Sequence, residues 1–301
     1  MIWLIGKKGM LGNEVEKLLK KDNISYIASD KEVDITNYPS LERYEEDKKI
    51  EWIINCSAYT QVDKAEEEEE KAFKINRDGV RNISRVALKR RAKLLHISTD
   101  YVFDGEDSNK VEPLGYNEED KTNPINVYGK SKLAGEKEIE KYLDKYFTVR
   151  TSWLYGLEGN NFIYTMLRLF REREVVRVVD DQIGSPTYTA DLAGVILKII
   201  NSNSSSHGLY HFTNEGITSW YKFARAIYDK SVKLGLIERE RRIEIISIKT
   251  EDYPTKAKRP KYSVLSKRKI KREFHLNIRN WEEALEDFLF SLKRNQKRLG
   301  R

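Results

Sequence analysis

Ile2-Trp-Leu-Ile-Gly6-Lys-Lys-Gly9-Met-Leu-Gly12 is the stretch that decides the fold. Its four leading apolar residues predict a strand buried on both faces. Three glycines follow at intervals of three. Val15, Leu18 and Leu19 then recur at helical spacing. Strand, glycine turn and helix, in that order, is the context that gives a glycine motif a physical task. Gly6 permits the tight turn, and Gly9 lets the backbone approach a pyrophosphate. Gly12 lets the helix pack close to the strand, and the helix N-terminus with Met10 and Leu11 faces the anion. The spacing is G-x-x-G-x-x-G rather than G-x-G-x-x-G, and an ordinary glycine-rich turn is the plainer alternative.

Working outward, a second strand over Ser25 to Ala28 ends at Asp30, placed to bond an adenosine ribose hydroxyl. Lys31 comes next and suits a 2′-phosphate instead, so NADH and NADPH both stay open. Asp34 and Ile35 form a candidate adenine-side turn. Pro39 to Lys49 reads as a charged helix. Trp52 to Asn55 is the next buried strand. It runs into Cys56-Ser57-Ala58-Tyr59-Thr60, whose small residues leave room for a ligand at the carboxyl end of the sheet. Glu66 to Glu70 reads as the acidic, solvated first turn of a helix. A helix through Asn76, Val80, Ile83 and Val86 leads to a strand over Leu94 to Ser98. Thr99 then stands at the sheet edge with its hydroxyl towards the crevice, a strand-end cap being the equal alternative. The loop from Asp104 to Pro124 carries acids at Asp107, Glu112, Glu118, Glu119 and Asp120, and is long enough to be functional.

Asn126 to Gly135, NVYGKSKLAG, places Tyr128 and Lys132 one helical turn apart on one face. An ammonium beside a phenol favours the phenolate, so Lys132 is expected to lower the Tyr128 pKa and make it a usable proton donor. A solvated lysine beside a half-buried tyrosine is the bland alternative. Phe147 to Thr151 is the following strand. Alternating β and α units over the first 150 residues predict an α/β fold, a doubly wound, Rossmann-type parallel sheet.

Composition narrows the class. The 301 residues allow about two domains. One cysteine, Cys56, excludes an intramolecular disulfide framework and suits a reducing cytoplasm. The four histidines show no metal spacing beyond a loose His207/His211 pair, for which packing is the simpler reading. The net charge of +7 is spread among many glutamates, so a charged surface or a phosphate-bearing small molecule explains it better than nucleic acid. No apolar run is long enough to span a membrane. The opening MIWLIGKK is too short for a secretory leader.

The glycine turn together with Y-x-x-x-K resembles the extended short-chain dehydrogenase/reductase superfamily. More closely, NCSAYTQVDKAE (55–66), STDYVFDG (98–105), NVYGKSKLAGE (126–136), RTSWLY (150–155), Asn160-Asn161-Phe162, DQIGSPT (181–187) and Arg259-Pro-Lys-Tyr-Ser263 resemble the dTDP-4-dehydrorhamnose reductases, which complete dTDP-L-rhamnose synthesis. The likeness covers nearly the whole chain.

That resemblance implies NADPH or NADH as cofactor and a dTDP-linked 4-keto-6-deoxy sugar as substrate. It implies catalysis by Tyr128, Lys132 and Thr99, with Lys132 also holding nicotinamide ribose hydroxyls. Ala58, Tyr59 and Thr60 join the cofactor residues. Asp100, Trp153, Asn161 and Arg259 join Thr99 at the substrate. The Trp153 ring can cover a hexose face, with a core position as the equal alternative, and the Arg259 guanidinium, which taken alone reads as a surface charge, is a bidentate partner for a diphosphate. Residues 1–150, with a return segment 187–235, are expected to bind the cofactor. Residues 151–186 and 236–301 are expected to form a smaller α/β region for the sugar nucleotide, closing on a helix Trp281 to Leu292 and a frayed basic tail. Some relatives are described as magnesium-linked dimers. No acids here map onto such a site, so Mg2+ lacks support from the sequence, and monomer and homodimer stay open. Rival readings are an epimerase or dehydratase on the same fold, and a non-catalytic subunit resembling the regulatory β-subunit of methionine adenosyltransferase.

Overall fold

In the computed structural model, which describes residues 1–106 and 115–299, six parallel strands form one sheet. Its order is Gly208–His211, β5 (Tyr146–Thr151), β4 (Lys93–Thr99), β3 (Trp52–Asn55), β1 (Ile2–Ile5) and β2 (Tyr26–Ser29). The chain leaves β1 for β2 on one side and returns to β3 on the other. The reversal opens a crevice at the carboxyl ends of β1 and β3, where open parallel sheets bind ligands.

Side-chain alternation explains why the sheet is covered on both faces. Ile2 and Leu4 of β1 enter one core with the helices Met10–Lys21 and Thr189–Asn201. Trp3 and Ile5 enter another with Ile83, Val86 and Ile139. A fully buried side chain of this kind contributes about 1.5–3 kcal/mol, so the register of β1 is pinned from both sides. A third core joins Tyr155, Phe170, Phe223, Ile227, Trp281 and Phe288 beyond the sheet's carboxyl edge. A parallel pair, Val175–Val179 with Glu244–Ile248, belongs to this side.

The packing draws the domain boundary differently from the sequence reading. Helix Trp220–Lys233 falls in the expected return segment but turns Phe223, Ala224 and Ile227 into the third core. Helix Arg268–Phe274 falls in the expected substrate region but packs Ile270 and Phe274 on the sheet. The return to the sheet therefore consists of helix 189–201, strand 208–211 and helix 268–274.

Three local expectations are corrected. The helix expected over Pro39 to Lys49 spans only Tyr38–Arg43. Tyr44 is extended, stacks on Trp3 at 5.0 Å and donates its hydroxyl to the Ala28 carbonyl, which pulls the chain out of the helix. The glutamate run is split between the ends of two short helices, Val62–Ala65 and Glu69–Phe73. The last helix, Trp281–Leu299, runs beyond the expected Leu292. Asp107, Glu112 and the final two residues lie outside the described residues. Among the described residues, no helix is long and apolar enough to cross a membrane, and no group of three acidic, histidine or cysteine side chains is placed to hold a metal. His211 is a core residue: its Nδ1 pairs with the Tyr116 carbonyl at 3.0 Å and its Nε2 faces Arg150 at 3.4 Å.

Candidate active site

The glycine turn lies where its sequence places it. Gly6 adopts φ +84°, and a Cβ added to Gly12 would stand 2.0 Å from the Gly6 carbonyl oxygen. Only bare backbone fits there. Helix Met10–Lys21 begins at once, with Gly9 as its N-cap and no side chain capping it, so its first N–H groups stay open towards the crevice. The groove beside this turn has a volume of about 870 Å³. Gly6, Gly9, Asp30, Lys31, Ile35 and Ala58 are among the residues on its walls, and Asp34 also faces it. Met10, Leu11 and Gly12 form the first helical turn behind it.

Asp30 is organised by the turn it faces. Its carboxylate accepts from Lys8 N and Lys31 N, each at 2.9 Å, so it braces the glycine loop against the end of β2. Tyr59 and Thr60 are not on the groove wall. Tyr59 is buried and turns its hydroxyl to Glu68, while its backbone N–H and carbonyl are both held by Asn76. Asn76 also donates to the Ser131 hydroxyl at 2.9 Å, tying the segment after β3 to the tyrosine helix. Sequence reasoning placed Asn76 only on an apolar stripe. A polar residue at such a position must find partners, and that was the available signal.

Helix Val127–Tyr142 is capped by Asn126, whose side chain accepts from Gly129 N at 2.7 Å. A Cβ on Gly129 would lie 2.1 Å from the Tyr101 carbonyl oxygen, so the helix can approach the end of β4 only with glycine there. That approach brings together Thr99, Tyr128 and Lys132. The Thr99 side chain lies beside the Tyr128 phenol, and the Thr99 hydroxyl donates to Asp100 Oδ1 at 3.1 Å and accepts from Tyr101 N. Tyr101 meets Tyr128 edge to face at 5.8 Å.

The electrostatics correct one expectation. Burial pushes the Tyr128 phenol up to about 12, with the nearby Thr99 hydroxyl pulling down and Asp100 pushing up. Lys132 does not lead that balance. Its own amine is buried, which lowers its pKa to about 8. It donates to the Ile97 carbonyl at 2.7 Å and faces His96 Nε2 at 3.3 Å. The phenol is therefore fully protonated at neutral pH, as a proton donor must be. Burial likewise pushes the Asp100 carboxyl up to about 7, against the pull of the nearby Ser263 and Thr99 hydroxyls, and pushes the Cys56 thiol up to about 12. Asp100 Oδ2 is buried without a hydrogen-bond partner.

Beyond the catalytic edge lies a second cavity of about 510 Å³, walled by Phe162, Met166, Val178, Trp220, Tyr253 and Arg259 among others. Arg259 reaches it while gripping Asp63 through two contacts, 3.1 and 2.7 Å, which hold the Asp63 carboxyl below the usual range. The Trp153 ring does not stand free: it stacks on Trp220 at 3.6 Å, and Trp220 is the ring on the cavity wall. Asn161 caps helix Phe162–Glu172, accepting from Ile163 N and Tyr164 N and donating to the Gly156 carbonyl at 2.8 Å. Its carboxamide is committed to the cap.

A family model described as RmlD substrate binding domain matches residues 1–294. The dTDP-4-dehydrorhamnose reductase of Aggregatibacter actinomycetemcomitans is 42% identical over 291 residues, 94% of this chain and 96% of its own. The spore coat polysaccharide biosynthesis protein SpsK of Bacillus subtilis is 39% identical over 289 residues, 96% of each. The dTDP-4-dehydrorhamnose reductase of Bacillus anthracis, solved in complex with NADP, matches with a TM-score of 0.87 and 40% identity, covering 96% of this chain and 98% of that one. The resemblance drawn from the motifs holds along the whole chain, and the chain belongs to the RmlD family, that of the dTDP-4-dehydrorhamnose reductases.

Proposed function

We propose that this chain reduces the C4 keto group of dTDP-4-dehydro-6-deoxy-L-mannose, forming dTDP-L-rhamnose with NADPH or NADH as reductant. The observation that carries this reading is a protonated Tyr128 placed beside Thr99 and Lys132 at the sheet edge, together with a groove that starts at the glycine turn. The residues present fit a dinucleotide. A turn that tolerates no side chain and an uncapped helix N-terminus suit a pyrophosphate, and Asp30 with Lys31 faces the adenosine end. When bound, NAD(P)H supplies the hydride that reduces the carbonyl.

Negative charge develops on the carbonyl oxygen during reduction. Tyr128 meets it with a proton, and Thr99 orients the same oxygen through its hydroxyl. Lys132, on the same helix face one turn from Tyr128, would hold the nicotinamide ribose hydroxyls. Asp100, with a buried oxygen lacking a partner, is a contact for a sugar hydroxyl. The cavity walled by Trp220, Tyr253 and Arg259 receives the nucleoside diphosphate, with rings for the base and a guanidinium for phosphate oxygens. Trp153 acts through its stack on Trp220, and Asn161 through the helix it caps.

The test is NAD(P)H oxidation with the dTDP-linked 4-keto-6-deoxy sugar generated in situ, each cofactor in turn. The expected result is one reduced cofactor consumed per keto-sugar, with dTDP-L-rhamnose as product. Product formation without net cofactor consumption would point to an epimerase instead.

A further inference from the structure

His96 is fully buried in β4, has no place in the reaction as described, and touches two groups that restrict it from opposite sides. It is the cross-strand partner of Asn55 at the end of β3. Asn55 Oδ1 lies 3.0 Å from Ser57 N and 2.6 Å from Ser57 Oγ. A backbone N–H can only donate, so the atom facing Ser57 is the carboxamide oxygen. The amide nitrogen then points at His96 Nδ1, 3.0 Å away. A ring nitrogen that accepts there is unprotonated, and a neutral imidazole must carry its proton on Nε2. The ring is neutral, because burial holds its pKa well below the usual value. Nε2 faces Lys132 Nζ at 3.3 Å.

Two donors cannot share one hydrogen bond. An N–H on His96 Nε2 is satisfied by the lone pair of a neutral amine and opposed by an ammonium. We infer that Asn55 and His96 are positioning residues for the reductase site: Asn55 fixes the His96 tautomer, and His96 donates to the Lys132 amine and so favours its neutral form in the ligand-free chain. Lys132 keeps one acceptor in either state, the Ile97 carbonyl. The other groups around it are Cys56 after β3 and Glu136 one turn along its own helix, each favouring the ammonium. Glu136 is itself neutralised by a buried pair with Arg150 at 2.7 Å. Desolvation lowers the amine to about 8, and a His96 donor 3.3 Å away acts in the same direction.

The inference rests on the reductase reading only for its catalytic consequence, and its test does not need turnover. Nitrogen-15 NMR of the ligand-free full-length chain should show His96 protonated on Nε2 and bare on Nδ1. Carbon-13 titration of lysine Cε, with Lys132 assigned by its loss in Lys132→Met, reads the amine directly. His96→Gln offers a carbonyl oxygen that the ammonium can bond, so the titration should move up by about one pH unit. The alkaline limb of kcat/KM should follow it in the same direction. Asn55→Asp keeps the acceptor for Ser57 but reverses the demand on Nδ1, so the His96 proton should move to Nδ1. A wild-type His96 protonated on Nδ1 overturns the inference, as does an unshifted Lys132 titration in His96→Gln. If His96→Gln does not fold, the wild-type tautomer and Asn55→Asp decide it. Loss of keto-sugar turnover with these NMR results intact would sink the reductase reading and leave this one standing.

Discussion

The two halves of the crevice are made from different materials. The cofactor side is made of backbone: a glycine turn, open helical N–H groups and one carboxylate bracing the turn, most of it within the first 35 residues. The side proposed for the substrate is made of side chains. Phe162, Val178, Trp220, Tyr253 and Arg259 come from separate segments and meet only because the third core assembles. A backbone site tolerates almost any residue that leaves the turn intact. A side-chain site depends on identities far apart in sequence.

Tyr128 is the proposed proton donor, so changing it tests whether both sides serve one reaction. Tyr128→Phe keeps the ring packed on Tyr101 and removes only the donated proton. Turnover should fall by about 10²–10⁴ while NAD(P)H binding, followed by cofactor fluorescence, stays within about twofold. Near-normal turnover would remove Tyr128 from the mechanism. Gly12→Ala probes the backbone side alone. Its methyl would meet the Gly6 carbonyl oxygen at 2.0 Å, and only movement of the turn itself can relieve that contact. Cofactor Kd should rise by about 10² or folding should be visibly weakened, since forcing atoms into closed packing costs about 1–3 kcal/mol. Unchanged affinity and stability would contradict the cradle.

This contrast also explains what the sequence made legible. The strand–turn–helix at Gly6 to Gly12 and the cap at Asn126 are local, so spacing alone located them. Thr99, Tyr128 and Lys132 meet at the end of β4, a placement the sequence could anticipate because each follows a readable strand or helix signal. Asn76 and His96 were missed because their partners are distant: Tyr59 and Ser131 for one, Asn55 and Lys132 for the other. The expected effect of Lys132 on Tyr128 failed for a related reason. Spacing reports which groups share a helix face, but not how far burial outweighs the charge between them. Trp153 stayed open between a sugar-facing ring and a core residue, since its stack on Trp220 joins residues 67 positions apart.

Arg259→Ala sharpens the substrate side. Removing a charge-assisted, forked donor should raise KM for the sugar nucleotide by about 10–100-fold and leave KM for NAD(P)H nearly unchanged. Arg259→Lys should recover only part of the loss, because an ammonium keeps the charge but not the fork that now grips Asp63. Equal rises for both ligands would mean that Arg259 holds the site's shape through Asp63 and does not touch the diphosphate.

Asp100 gives the smallest expected effect and the most specific sign. Its carboxyl is raised from 3.8 to about 7 by burial, so the folded chain binds a proton there that the unfolded chain releases above about 4. Its contribution to stability is therefore complete below the unfolded value and is lost as pH rises through the folded one. Asp100→Asn is neutral at every pH, and its carboxamide oxygen can still accept from Thr99. Melting at pH 8 should rise by about 2–5 °C over the parent chain, and the gain should vanish near pH 4. Keto-sugar turnover should fall at the same time, since the carboxyl oxygen left without a partner in the ligand-free site is replaced by a donor. An equal gain at both pH values would assign the change to packing. A fall in melting temperature at pH 8 would show that the ionised carboxylate is stabilised in the crevice, and that the substrate side has a second charge besides Arg259 to recognise its ligand.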